Sequence, residues 1–90
     1  MLVLTRTIGE SLLIEDVSLH VIQIQPSAIT FSMQKLSGGR ETIVHLQRHQ
    51  IVEVCYNVKF QLIAVKGQSV RLGLESPKDV TIHRPEVDSN

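Results

Sequence analysis

The sequence predicts an all-β fold, and three observations carry that prediction. Apolar residues alternate with other types along most of the chain, the period-two pattern of strands that bury one face. Hydrophobic residues make up 42% of the sequence while aromatics make up 3%, so the core must be built from Val, Ile and Leu, which suit strands. Short Gly, Pro and Ser stretches punctuate the alternation where turns would fall.

A chain of 90 residues holds one domain, or two very small half-domains sharing a core. It buries a modest share of its unfolded surface, so association or intramolecular pairing of halves is expected. Lysine plus arginine and aspartate plus glutamate both number nine. A nucleic-acid site would therefore have to be local, because the chain lacks the net positive charge that attracts phosphate from a distance. Cys55 is the single cysteine, which excludes an intrachain disulfide and a structural thiolate cluster and suits a reducing cytoplasm. The opening MLVLTR lacks the basic head and apolar stretch of a signal peptide, and no run reaches the roughly 18 apolar residues of a membrane span. The expected location is the cytoplasm.

The elements follow in order. Leu2 and Leu4 alternate with Val3 and Thr5 in a first strand, and Ile8, Gly9 and Glu10 break it before a second strand from Ser11 to Ile14. Val17, Leu19, Val21 and Ile24 lead to a turn at Pro26 and Ser27, and Ile29, Phe31 and Met33 return as the other arm of a hairpin. Lys35 to Arg40 is a polar loop around Gly38 and Gly39, followed by a short strand from Thr42 to His45. Residues 46–57 read either as one short helix, with Leu46, Gln50, Ile51 and Val54 on a face, or as a buried strand. Val58, Phe60, Leu62 and Ile63 open another hairpin that turns at Lys66 to Ser69 and returns through Val70, Leu72 and Leu74. Pro77 precedes a last strand, Val80 to His83, Pro85 stops it by withholding a backbone donor, and Val87 to Asn90 reads as a tail.

The two hairpins repeat at a constant spacing of 41 residues. Val17 falls on Val58, Leu19 on Phe60, Val21 on Leu62, Ile24 on Val65, Ile29 on Val70, Phe31 on Leu72 and Met33 on Leu74. With three additional residues in the first copy's glycine loop, Ile43 to His45 then align with Thr81 to His83.

Met1 to Arg6 followed by Gly9, Glu10 and Ser11 resembles the opening strand and turn of the CsrA/RsmA family of RNA-binding translational regulators. Val65 to Val87 (VKGQSVRLGLESPKDVTIHRPEV) resembles the remainder of that family's core. Without residues 17–57 the sequence reads as one family member almost from end to end. Residues 1–90 are thus expected to form a single CsrA-like domain, with 1–16 and 58–87 as family core blocks and 17–57 as an inserted or duplicated copy. The resemblance implies a small antiparallel β-barrel or sandwich of interlocked sheets, in which the first and last strands of one subunit complete the sheet of the other. It implies binding of messenger RNA hairpin loops that present GGA, with repression of translation or altered message lifetime. It admits an antagonist small RNA as a further partner, and it implies no cofactor.

Carried over residue by residue, the resemblance places Leu4, Thr5 and Arg6 on one bank of the RNA site and Lys78, Val80, His83 and Arg84 on the other. The chemistry suits this, since a strand edge can read unstacked bases and arginine offers a planar fork to phosphate or guanine. Thr7 stands where the family commonly has a second basic residue, Leu46 aligns with Arg84, and Thr30 with Arg71. One complete set of RNA-binding residues per chain is expected. The histidines have no metal-ligand spacing, the Gly38 and Gly39 pair lacks a phosphate loop's context, and nothing points to an enzyme. The rival reading is a degenerate protein-interaction module that modulates other CsrA-type chains. Two architectures stay open: a single-chain pseudo-dimer, in which Thr42 to Leu46 serve as last strand of the first copy and also as first strand of the second, or two interlocked chains with residues 17–57 as a peripheral hairpin and helix. Exposed edges favour a homodimer.

Overall fold

The computed structural model describes residues 1–85; Glu86 and Val87 of the second family block, and the tail to Asn90, lie outside them. The described residues form two antiparallel sheets from nine strands. In chain order these are β1 (Leu2–Thr7), β2 (Ser11–Ile14), β3 (Val17–Gln25), β4 (Ala28–Lys35), β5 (Thr42–Gln47), β6 (Ile51–Glu53), β7 (Lys59–Lys66), β8 (Ser69–Glu75) and β9 (Ile82–His83). One sheet has the order β1-β8-β7-β6 and the other β5-β4-β3-β2-β9. Each hairpin thus forms the centre of a sheet, and strands from the opposite half of the chain complete it.

The core lies between the sheets because alternation sends one set of side chains inward from each. Leu4, Phe60, Leu62, Val70, Leu72 and Leu74 meet Leu12, Ile14, Leu19, Ile29, Phe31 and Leu46, all at least 95% buried. Phe31 of β4 and Phe60 of β7 stack across the two sheets with centroids 5.4 Å apart, which adds about 0.5–1.5 kcal/mol beyond their burial. Residues 17–57 are not peripheral, since β3 and β4 occupy the middle of the five-stranded sheet.

The repeat at 41 residues carries into the backbone. Both hairpins have a register shift at the same place, between Val21 and Gln23 in the first and between Leu62 and Ala64 in the second. The alignment of residues 43–45 with the last strand does not carry over. Leu2 to Thr7 pair with Leu74 to Ser69, and Thr42 to Gln47 pair with Met33 to Ala28 in the same register. β5 therefore takes the place of β1, so Leu46 corresponds in position to Arg6 rather than Arg84.

The turns after these two strands match as well. Thr7 N–H donates to Glu10 Oε1 at 2.7 Å and Glu10 N–H to the Thr7 carbonyl at 3.1 Å. Gln47 N–H donates to Gln50 Oε1 at 3.0 Å and Gln50 N–H to the Gln47 carbonyl at 3.1 Å. Gly9, at φ +91°, relieves the left-handed position in the first turn, whereas His49 holds it at φ +68° in the second. The helix considered for residues 46–57 shrinks to one 3-10 turn, Cys55–Asn57. Tyr56 there has φ +55°, which a right-handed helix cannot continue.

Candidate nucleic-acid interface

β1 is an outer strand of the four-stranded sheet and β9 an outer strand of the five-stranded sheet. A cleft of about 460 Å³ runs between them, lined by Met1 and Leu2 on one bank and Ser76, Val80 and Ile82 on the other. The first strand and the segment after Pro77, remote in sequence, are thereby neighbours.

The β9 bank is pinned at several points. Leu13 and Ile14 of β2 pair with His83 and Ile82, and Glu15 N–H donates to the Thr81 carbonyl at 3.0 Å. Thr81 N–H donates to Glu15 Oε2 at 2.5 Å. Val80 N–H donates to the Pro77 carbonyl at 3.1 Å, closing a turn that leaves Lys78 exposed. His83 and Arg84 are also exposed, and Val80 is half-buried beside the cleft. Of the four residues expected on this bank, three thus present polar or cationic side chains to solvent.

On the β1 bank the strand alternates sides. Thr5 is exposed and sits opposite Arg71, while Leu4 and Arg6 are each 4% exposed. Both side chains thus turn inward, Leu4 into the core and Arg6 beside it. Thr7 turns its N–H and carbonyl to Glu10, so alternation puts the outward backbone groups of this edge strand at Val3 and Thr5, while those of Leu4 bond to β8. Arg6 Nη1 donates to the Thr5 carbonyl at 2.7 Å, and Arg6 shares a small internal space with Glu10, Leu19, Phe31 and Phe60. Glu10 is held below the usual carboxylate range, first by the Thr7 backbone and side-chain hydrogen bonds and then by the Arg6 charge.

The corresponding edge of the five-stranded sheet is different. Val44, His45 and Leu46 stand where β1 has Leu4, Thr5 and Arg6. His45 Nδ1 and Thr30 Oγ1 share a hydrogen bond of 2.9 Å, and Leu46 is fully buried. Residues 36–41 occupy the stretch between β4 and β5, and among the described residues no strand lies there. Their loop is tied down by Leu36 N–H to the Asp16 carbonyl at 2.8 Å and by Gln34 Nε2 to the Gly39 carbonyl at 2.9 Å. Sequence reasoning aligned residues 43–45 with the last strand and gave Thr42 to Leu46 the part of a first strand for the second copy only within the pseudo-dimer alternative; Val44 at the place of Leu4 and Gln50 at that of Glu10 are the faint signals that favour it.

Outside this region the chemistry is quiet. Among the described residues no group of three His, Cys, Asp or Glu side chains gathers to hold a metal. Burial pushes the half-buried Cys55 thiol up, away from reactive thiolate. No helix among the described residues is long and apolar enough to cross a membrane.

No solved structure matches the chain, but sequences do. The profile of the CsrA global regulator protein family matches residues 42–90, more than half of the chain, and the match begins at the first residue of β5. Translational regulator CsrA of Halothermothrix orenii is 33% identical over 45 residues, 50% of this chain and 56% of the relative. CsrA of Rhodopirellula baltica is 29% identical over 45 residues, 50% and 64% of the two chains. CsrA of Bacillus subtilis is 33% identical over 39 residues, 43% and 53% of the two. The chain thus covers between 53 and 64% of these relatives' length. A mainly antiparallel β fold, a pinned last strand beside the first, and a profile match that takes in β5 to β9 together lead to one conclusion: this chain belongs to the CsrA family.

Proposed function

We propose that the chain is a sequence-selective RNA-binding regulator that holds GGA-containing hairpin loops of messenger RNA between β1 and the segment from Lys78 to Arg84. It would repress translation or alter message lifetime in the cytoplasm by occupying the message, and an antagonist small RNA presenting the same motif would compete. The observation that carries this reading is the cleft between β1 and the last strand, lined by Met1, Leu2, Val80 and Ile82, with Thr5 exposed further along β1 and Lys78, His83 and Arg84 exposed on the segment that carries Val80 and Ile82. Thr5 and the outward backbone of β1 would read base edges, His83 and Val80 would stack or pack against a splayed base, and Lys78 and Arg84 would meet phosphate. Arg6 supports the strand from inside. The family is one of regulators, and the reading calls for no catalysis.

The same proposal covers architecture. One chain contains two copies of the family unit, residues 1–40 and 42–90, and works as a single-chain pseudo-dimer rather than as the homodimer expected from sequence. Support comes from the coincident registers of β1 with β8 and β5 with β4, the coincident bulges and the coincident turns. One complete RNA site results per chain, because the edge at β5 has no last strand beside it among the described residues and carries Leu46 for Arg6. A gel-shift titration with a GGA hairpin and a CCU control tests the reading. Binding restricted to GGA is expected, and equal affinity for both hairpins would overturn it.

A further inference from the structure

The two sheets are unequal at one edge. β2 carries β9 along its outer edge, with Leu13 opposite His83 and Ile14 opposite Ile82. β6 pairs with β7 as β2 pairs with β3: Ile51, Val52 and Glu53 face Gln61, Phe60 and Lys59, where Ser11, Leu12 and Leu13 face His20, Leu19 and Ser18. Yet the outer edge of β6 carries no strand among the described residues. Val54 donates its N–H inward to the Val58 carbonyl at 2.8 Å, so alternation turns the backbone N–H and C=O of Glu53 outward. Beside them Ile51 is 63% exposed. An unpaired edge of this kind is a template for another strand.

We propose that the outer edge of β6 accepts the last strand of another protein, an extended segment with the pattern of Thr81 to Arg84. It would pair antiparallel, with its histidine opposite Glu53 and its isoleucine opposite Val54. The internal copy supplies the register, since Glu53 and Val54 stand where Leu13 and Ile14 hold His83 and Ile82. Charge complementarity supplies the specificity: Glu53 replaces Leu13 and places a carboxylate opposite the incoming imidazole, with the following arginine close by. Backbone pairing provides affinity and alternate side chains provide selection, as in other strand-addition modes. A second copy of this chain is a poor donor, because its last strand is already engaged on its own β2.

The test is an NMR titration of the full isotope-labelled chain with a capped peptide of sequence SPKDVTIHRP. Saturable shifts at the Ile51, Glu53 and Cys55 amides are expected, with weaker binding as pH rises through the histidine range. Glu53→Arg should weaken binding by about threefold, the scale of one exposed charge pair, and a peptide with glutamate in place of its histidine should recover it. The exposed position of Glu53 keeps that variant folded, and its spectrum shows this directly. No shift at millimolar peptide overturns the proposal. So do shifts confined to β2, which would mean that the peptide displaces β9, and β6 shifts that track protein concentration without peptide, which would assign the edge to a second copy. RNA binding is not read in this experiment, so it stands or falls apart from the RNA site.

Discussion

Deleting Val17 to Asn57, which joins Asp16 directly to Val58, tests the two-copy architecture at its weakest point. The deletion removes β3 to β6 and takes Val17, Leu19, Val21, Ile29, Phe31 and Leu46 out of the core. Each such side chain contributes about 1.5–3 kcal/mol on burial, so the loss is about 9–18 kcal/mol against a total stability of about 5–15 kcal/mol for a domain. No folded monomer survives that arithmetic. The remainder nevertheless holds β1, β2, β7, β8 and β9, one of every strand position, and two such chains can rebuild both sheets by exchanging β1 and β9. The expected product is an obligate homodimer, and the expected parent is a monomer. Sedimentation velocity gives the masses, and circular dichroism across a dilution series gives a thermal midpoint that falls on dilution only for the deletion variant. A folded, concentration-independent monomer would refute the reasoning. A product unfolded at every concentration would do the same by showing that the halves are not interchangeable.

Other consequences are more local. Arg84→Ala should weaken binding to a GGA hairpin by more than about tenfold, ~1.4 kcal/mol, with the thermal midpoint within a few degrees of the parent, because the side chain is exposed; unchanged affinity in a filter-binding assay removes Arg84 from the site. Leu46→Arg should destabilise the chain by about 3–5 kcal/mol in urea unfolding, since it buries a cation without a carboxylate. Gln50→Glu, which restores the Arg6 and Glu10 arrangement at the β5 position, should return part of that loss. Tyr56 Oη donates to the Asp16 carboxylate, and that bond holds Asp16 below and Tyr56 above their ordinary ranges. The contribution of Asp16 is present above its unfolded pKa and lost as pH falls through the lowered folded value. That of Tyr56 is present below its unfolded pKa and lost as pH rises through the raised one. Tyr56→Phe should move the Asp16 titration, followed by carboxyl NMR, back up towards an ordinary aspartate.

The strands and hairpins were legible because alternation and turn residues are local properties. Val17 to Met33 and Val58 to Leu74 show their kinship in sequence, since both fill the centre of a sheet and are constrained on two sides. β5 was not legible. Residues 2–14 and 42–54 share no identical position, yet they take the same register, because backbone pairing to β8 and β4 fixes their shape while asking only for apolar side chains at alternate places. Residues 46–57, which the sequence left open between helix and strand, were decided towards strand by their partner β7 and by the left-handed backbone at Tyr56. In the proposed site, Lys78, His83 and Arg84 are exposed, as a surface role for them requires. The inward turn of Arg6 was in principle readable, since strand parity places it on the same side as Leu4, but a charged residue on that parity reads as surface until Glu10 is seen beside it.

The most direct test of the account is calorimetric titration of the 90-residue chain with a single GGA hairpin, with light scattering on the same sample to fix the protein's mass. One hairpin bound per monomeric chain, with binding lost when GGA is changed to CCU, is the predicted result. Two hairpins per chain, or equal heat from the CCU control, would contradict it.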